Sequence, residues 1–298
     1  MDKKGVSLVL GTAVISGVSI FLNKFGVKGF DPAIFTTSKN ILVALFLIST
    51  LLIMNDWKTL RSLSGKVWVQ LATIGLIGGS IPFLLFFTGL KMTTAAQAGF
   101  LHKTLFIWVT ILAAVTLKEK ISKNMMIGGV LLLLGNLFLL KITGWTFSTG
   151  DFLIILATLL WSAEITLSKY VLTSIKDLPG RVVAFGRMGF GSLFLLLYLA
   201  ATEKITLYST FSGTQWLWIT FTGALLYGYV FTFYEGLKEV KASVAAAILL
   251  LGTVITTLLN LLWTQSIGFH QLAGGLFLIA GALTFVGVRL PLPQRARQ

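Results

Sequence analysis

Cysteine is absent from the chain, which excludes disulfides, thiolate metal sites and cysteine nucleophiles. Histidine occurs only as His102 and His270, so no His-rich metal centre forms, and neither a metal nor a cofactor is expected. Charge is scarce, at 11% of residues, against roughly 25% in soluble domains. The longest polar stretch, Asn55 to Lys66, is a short loop that leaves no room for a soluble domain. No Gly-rich phosphate loop ending in Lys-Ser/Thr occurs, which argues against ATP-driven work by this chain alone. No Ser/His/Asp grouping emerges either, because Glu164 is the only deeply placed acid, so an enzyme is not expected.

Apolar residues make up 56% of the chain. Runs of about 20 of them recur, each long enough to cross a ~30 Å hydrocarbon core. The expected spans are 6–27, 33–54, 67–90, 93–117, 122–140, 151–172, 180–201, 215–237, 240–263 and 268–289. The first follows Met-Asp-Lys-Lys and imitates a secretory signal. Its apolar run is long and lacks a small-x-small cleavage site, so it is read as a retained span.

Basic residues set the orientation. With the N-terminus inside, cytoplasmic segments carry fifteen of the 24 Lys and Arg, among them Lys58, Arg61, Lys66, Lys118, Arg181, Lys238, Arg289, Arg295 and Arg297. External connections carry four: Lys28, Lys91, Lys141 and Lys204. Both termini are therefore expected in the cytoplasm, the chain lying in the plasma or inner membrane. The net charge of +14 reflects this bias rather than a nucleic-acid partner. Trp57, Trp68, Trp145, Trp216, Trp218 and Trp263 fall near span ends, where amphipathic rings prefer the interface.

The chain also repeats itself at an interval of about 147 residues. Gly89-Leu90-Lys91 returns as Gly236-Leu237-Lys238, Pro32 as Pro179, and Ser38-Lys39 as Gly186-Arg187. Gly128 and Gly135 return as Gly274 and Gly281. The fold class is accordingly an all-α polytopic membrane protein, with ten transmembrane helices forming two inverted five-helix repeats. The repeats are placed at 1–143 and 144–290, with a cytoplasmic tail at 291–298. Inverted repeats suit alternating access to a site near the bilayer midplane.

Ionisable groups at that depth must be paired or face water. Those inside spans are Lys24, Lys39, Lys103, Lys169, Arg187 and Glu164. Counting residues puts Lys103 and Glu164 within roughly 5 Å of one level, so a Lys103–Glu164 pair across a central cavity is expected. Trp161 and Ser168 share the Glu164 helix face at i−3 and i+4. Glu164 is either a permanently paired structural carboxylate or a cavity group that binds cations or exchanges a proton. Lys39 and Arg187 fall at mirrored depths, as inversion requires. They either meet a substrate carboxylate from opposite sides or snorkel. Lys24 and Lys169, near span ends, are read as snorkelling. His102, Asn23 and Tyr227 complete the candidate cavity lining. Asn23, Gln97, Asn136 and Asn260 are candidates for interhelical hydrogen bonds. Pro82 should kink span 3, with Gly228 as its counterpart in span 8 and Gly252 as a third gating candidate.

The chain resembles the drug/metabolite transporter superfamily, specifically ten-span members built from two EamA-type repeats. The resemblance rests on Leu160-Trp161-Ser162 through Lys169, the Ala-rich helix after Lys91, Lys118-Glu119-Lys120-Ile121-Ser122 and the following Gly128-Gly129. It implies a cavity lined by spans 1–4 and 6–9, with spans 5 and 10 peripheral. It gives Glu119 a bracing role at the inner ends of the helices. Many relatives carry a proline in spans 4 and 9, whereas this chain has His102-Lys103-Thr104-Leu105 and Leu251-Gly252-Thr253, and Gln265 replaces the second loop Glu. The expected function is secondary transport, in the export direction, of a small organic metabolite such as an amino acid, with proton coupling through Glu164 left open. A passive facilitator, a sugar-phosphate or drug exchanger, and a non-transporting assembly protein are the alternatives. Expected partners are the small-molecule substrate and the lipid bilayer, with a homodimer left open.

Overall fold

A computed structural model describes residues 2–26, 30–140, 146–265 and 268–287. Lys28, Lys141, Trp145, Arg289, Arg295, Arg297 and the tail 291–298 lie outside the described residues, as does the side chain of Lys24. The first half comprises α1 (Lys3–Gly26), α2 (Pro32–Ile53), α3 (Trp57–Ser62), α4 (Gly65–Gly79), α5 (Ile81–Leu90), α6 (Ala95–Lys103), α7 (Leu105–Thr116) and α8 (Lys123–Leu140). The second comprises α9 (Thr149–Ser174), α10 (Gly180–Ala201), a 3-10 turn (Lys204–Thr210), α11 (Gly213–Glu239), α12 (Ala242–Leu249), α13 (Leu251–Thr264) and α14 (Phe269–Val286). With α4/α5, α6/α7 and α12/α13 each taken as one span, ten helical stretches are long and apolar enough to cross a membrane.

The helix starts follow local chemistry. Asp31 precedes Pro32 and accepts from the backbone N–H of Ala33 at 2.9 Å, which caps α2. Ser148 with Asp151, and Ser212 with Gln215, form capping boxes on α9 and α11.

Three spans are interrupted near their middles. In α4/α5, Pro82 has no N–H to offer the Gly78 carbonyl four residues back. The next donors, Phe83 and Leu84, turn to Ser80 at 3.1 and 3.4 Å. The other two breaks occur without proline. Between α6 and α7, both the N–H and the hydroxyl of Thr104 go to Leu101 O, at 3.1 and 2.6 Å. Between α12 and α13, Leu250 N–H reaches Ala247 O and Thr253 N–H reaches Leu250 O, a tightened three-residue spacing. Gly252 lies two residues past that break. At Gly228, the counterpart expected for Pro82, α11 runs on without a break in the helix. Glycine lowers helix propensity without removing a hydrogen bond, so packing keeps the helix intact.

Packing confirms that the halves are inverted. A Cβ on Gly128 would meet Gly281 O at 2.7 Å, and one on Gly135 would meet Gly274 O at 2.8 Å. The pairings run antiparallel, so the last spans of the two halves point in opposite directions. Glycine lets these backbones touch. The outer faces of both helices are apolar and exposed, for example at Met126, Ile127, Leu272 and Leu276, which fits a peripheral, lipid-facing position.

Candidate functional site

The interrupted third span supplies the centre of the site. Because Pro82 cannot bond it, the Gly78 carbonyl is free to accept from other helices. It receives Trp161 Nε1 of α9 at 3.0 Å and Arg187 Nη2 of α10 at 3.2 Å. Gly79 O accepts Asn40 Nδ2 of α2 at 2.9 Å. Three spans are thus tied to one helix break. Glycine at 78 is required by close approach, since a Cβ there would lie 2.2 Å from Glu164 Cγ.

Glu164 is 2% exposed, so its partners decide its state. Oε1 accepts from Ser168 Oγ at 2.7 Å and from the hydroxyl of Tyr234 on α11. Oε2 faces Arg187 Nε at 3.8 Å, an ion pair without a hydrogen bond at Nε. The expected Lys103–Glu164 pair is therefore replaced by Arg187–Glu164. Axial counting placed Lys103 at a suitable level but gave no information on which way each helix face turns. Lys39 has no such acid: its ammonium lies 4.2 Å from the Phe35 ring centroid, a cation–π contact. Among the described residues neither Lys39 nor Lys103 forms an ion pair. Lys39 and Arg187, expected as a mirrored pair, thus differ in company.

Above this centre lies an aromatic cluster. Trp161 packs on Phe83 and Phe86 with centroids 5.2 and 5.7 Å away, and His102 meets Trp161 at 4.9 Å. His102 Nδ1 is buried with no hydrogen-bond partner among the described residues. Asn23 Oδ1 is likewise unpartnered, while its amide reaches Ser19 on the same helix at 3.5 Å. Tyr227 does not join the Glu164 group: its hydroxyl pairs with Thr50 Oγ1 of α2 at 2.7 Å. Gln97 and Asn136 bridge elements, to Thr146 O and Phe100 O, and the Asn260 amide donates to Thr256 O.

Lys169, near the end of its span, has fixed partners. Its ammonium bonds Leu237 O at 2.9 Å and Lys238 O at 2.8 Å, at the C-terminus of α11, where a cation is favoured. Glu119 takes the complementary position at the N-terminus of α12, accepting from Ala242 N–H at 2.7 Å and Ser243 N–H at 3.3 Å. On the same end Arg181 binds both Asp56 and Glu235, joining the two halves. At the opposite end Lys204 binds Asp31 at 2.8 Å, again across the halves.

Sequence reasoning missed Tyr234, Asn40 and the two glycine carbonyls. Counting four residues back from Pro82 gives Gly78, so that carbonyl was within reach of the sequence. Tyr234 carried no such signal, since a phenol in an apolar run usually reads as packing.

The EamA-like transporter family matches twice, over residues 3–141 and 148–287. The chain belongs to that family. A protein of Bacillus subtilis named as the uncharacterized transporter YyaM is 25% identical over 294 residues, covering 95% of this chain and 94% of its own length. An uncharacterized transporter of Archaeoglobus fulgidus is 26% identical over 291 residues, covering 94% and 96%. Protein LicB of Haemophilus influenzae is 26% identical over 188 residues, covering 62% of this chain and 64% of its own. One crystal structure superposes with a TM-score of 0.76 at 18% identity, covering 95% of this chain and 98% of that one, a likeness of fold. The chain is thus a multi-pass membrane transporter of the EamA type.

Proposed function

We propose that this EamA-type chain is a secondary transporter that exports a small organic metabolite bearing a carboxylate, such as an amino acid. The units 1–143 and 144–290 move against each other, with both termini in the cytoplasm. The observation that carries the reading is the break at Gly78–Pro82. Its free carbonyls hold Trp161, Arg187 and Asn40 from three spans at mid-depth. A preorganised polar centre inside a discontinuous helix is the arrangement secondary transporters use for binding. The unpaired ammonium groups of Lys39 and Lys103 support an anionic group on the substrate, and the Phe83, Phe86, His102 and Trp161 rings support an apolar part. Glu164, bound by Ser168 and Tyr234 and facing Arg187, acts in this reading by positioning Arg187. These contacts favour that role over carrying a proton.

Counterflow in proteoliposomes tests the reading, with amino acids, sugar phosphates and cationic drugs offered in parallel. Saturable exchange of a carboxylate-bearing solute, reduced at least tenfold in Lys39→Ala or Lys103→Ala, is expected. Absence of exchange for every solute, or large single-channel currents, would overturn it.

A further inference from the structure

A groove of about 570 Å³ lies between α2 and α10, roofed by α3. Ala44 and Ile48 line one side, Phe185 and Gly189 the other, and Arg61 is the only charged residue in its lining. It opens outward, since Trp57 at the mouth is 42% exposed and Leu193 at the far end is 49% exposed. Leu193 is 13 residues along α10 from Gly180, about 20 Å at ~1.5 Å per residue. One leaflet of hydrocarbon is about 15 Å deep. The lining itself runs from Phe185 to Leu193, eight residues or about 12 Å, so the groove extends from below α3 through most of one leaflet.

The rim is positively charged and uncompensated. Arg61 stacks on Trp57 at 5.1 Å, which fixes the guanidinium at the mouth. Asp56, the nearest acid in sequence, is engaged by Arg181 instead. Among the described residues Lys58, Arg61 and Lys66 form no ion pair. The groove is walled off from the Gly78 centre by α4 against α10, where Gly75 meets Phe190 and Gly186 meets Leu71 with no spare room.

We propose that this groove binds one anionic phospholipid of the leaflet in which α3 lies. An acyl chain lies along α10 over Gly189, and the phosphate sits beside Arg61, Lys58 and Lys66. Apolar walls match the chain, and a cluster of unpaired cations at the interface selects the headgroup. Gly189 keeps the floor low, since even a Cβ there would press on the Phe185 ring edge at 3.3 Å.

Native mass spectrometry of the full chain, released from detergent with added phosphatidylglycerol or phosphatidylethanolamine of identical acyl chains, tests this. Wild type should retain one phosphatidylglycerol with an apparent Kd at least tenfold below that for phosphatidylethanolamine. Arg61→Ala combined with Lys58→Ala should erase that preference. Gly189→Leu should reduce retention of both lipids while thermal unfolding stays within the wild-type range. Equal retention of the two lipids by wild type overturns the proposal. So does a preference unchanged in both variants. If Gly189→Leu fails to fold, the charge variant alone decides.

Discussion

Glu164 and Arg187 sit in one hydrogen-bonded group with Ser168, Tyr234 and the Gly78 carbonyl, and each makes the other's burial tolerable. A buried charge left without its partner typically costs 3–5 kcal/mol. Glu164→Gln keeps oxygen and shape but strips Arg187 of its counter-charge. Given the 3.8 Å separation, a loss of about 3 kcal/mol is expected, at the lower end of that range. Thermal unfolding in detergent measures it. Arg187→Leu added to Glu164→Gln should recover part of the loss; a strictly additive double variant would show that the two do not interact. The depth of Glu164 was legible in the sequence because residue count converts to distance along a helix axis. Its partner was not, because the rotation of α6 and α10 about their axes comes from packing.

Pro82 does its work through the hydrogen bond it cannot make. Pro82→Ala restores an N–H four residues after Gly78, which then competes with Trp161 and Arg187 for one carbonyl. Transport should fall at least tenfold while the protein stays folded, and Trp161 emission should shift as its indole loses a fixed acceptor. An unchanged exchange rate would mean that the break is incidental. The breaks at Thr104 and Leu250 fall at corresponding points of the two repeats, and neither contains a proline. Here a threonine hydroxyl competing for Leu101 O and a local three-residue turn produce the same interruption. The contact of α8 with α14 rests on glycine in a different way. Gly281→Leu forces atoms onto Leu132 N, which an added Cβ would approach to 2.8 Å. The expected cost is about 1–3 kcal/mol, read as a lower Tm with transport per folded molecule little changed.

Ties at the two ends join the halves, and the proposed alternating access requires each of them to open in turn. One end holds Arg181 between Asp56 and Glu235, and the other holds Asp31 with Lys204. The absence of native cysteine makes any introduced thiol a unique reporter. Val171 on α9 is fully buried, so a thiol there reports opening: in a Val171→Cys background, Arg181→Ala should raise labelling from the α3 side several-fold and leave labelling from the other side unchanged. Equal rates with and without Arg181 would remove the tie from the gating scheme. The Asp31 clasp has a pH signature. Burial opposes ionisation of its carboxyl, but the Lys204 bond and the α2 backbone N–H groups outweigh it and hold the group below its ordinary 3.8. A depressed carboxyl stabilises the fold above its unfolded value, and that contribution is lost as pH falls through the folded value. Asp31→Asn keeps the cap but not the charge. Its Tm deficit should be steady at neutral pH and close in acid.

Span number, membrane residence and the duplicated five-helix unit were all written in the chain. Hydrophobic run length, loop charge and residue count act locally along the chain and need no knowledge of neighbours. The Gly128/Gly281 contact, the choice of Arg187 over Lys103 for Glu164, the continuity of α11 at Gly228 and the capping of α11 by Lys169 depend instead on how helices rotate and approach. In a bilayer most faces of these helices are apolar enough to turn towards lipid, so composition leaves much of the rotation open. Close packing of glycines and the need to satisfy a few polar atoms settle it.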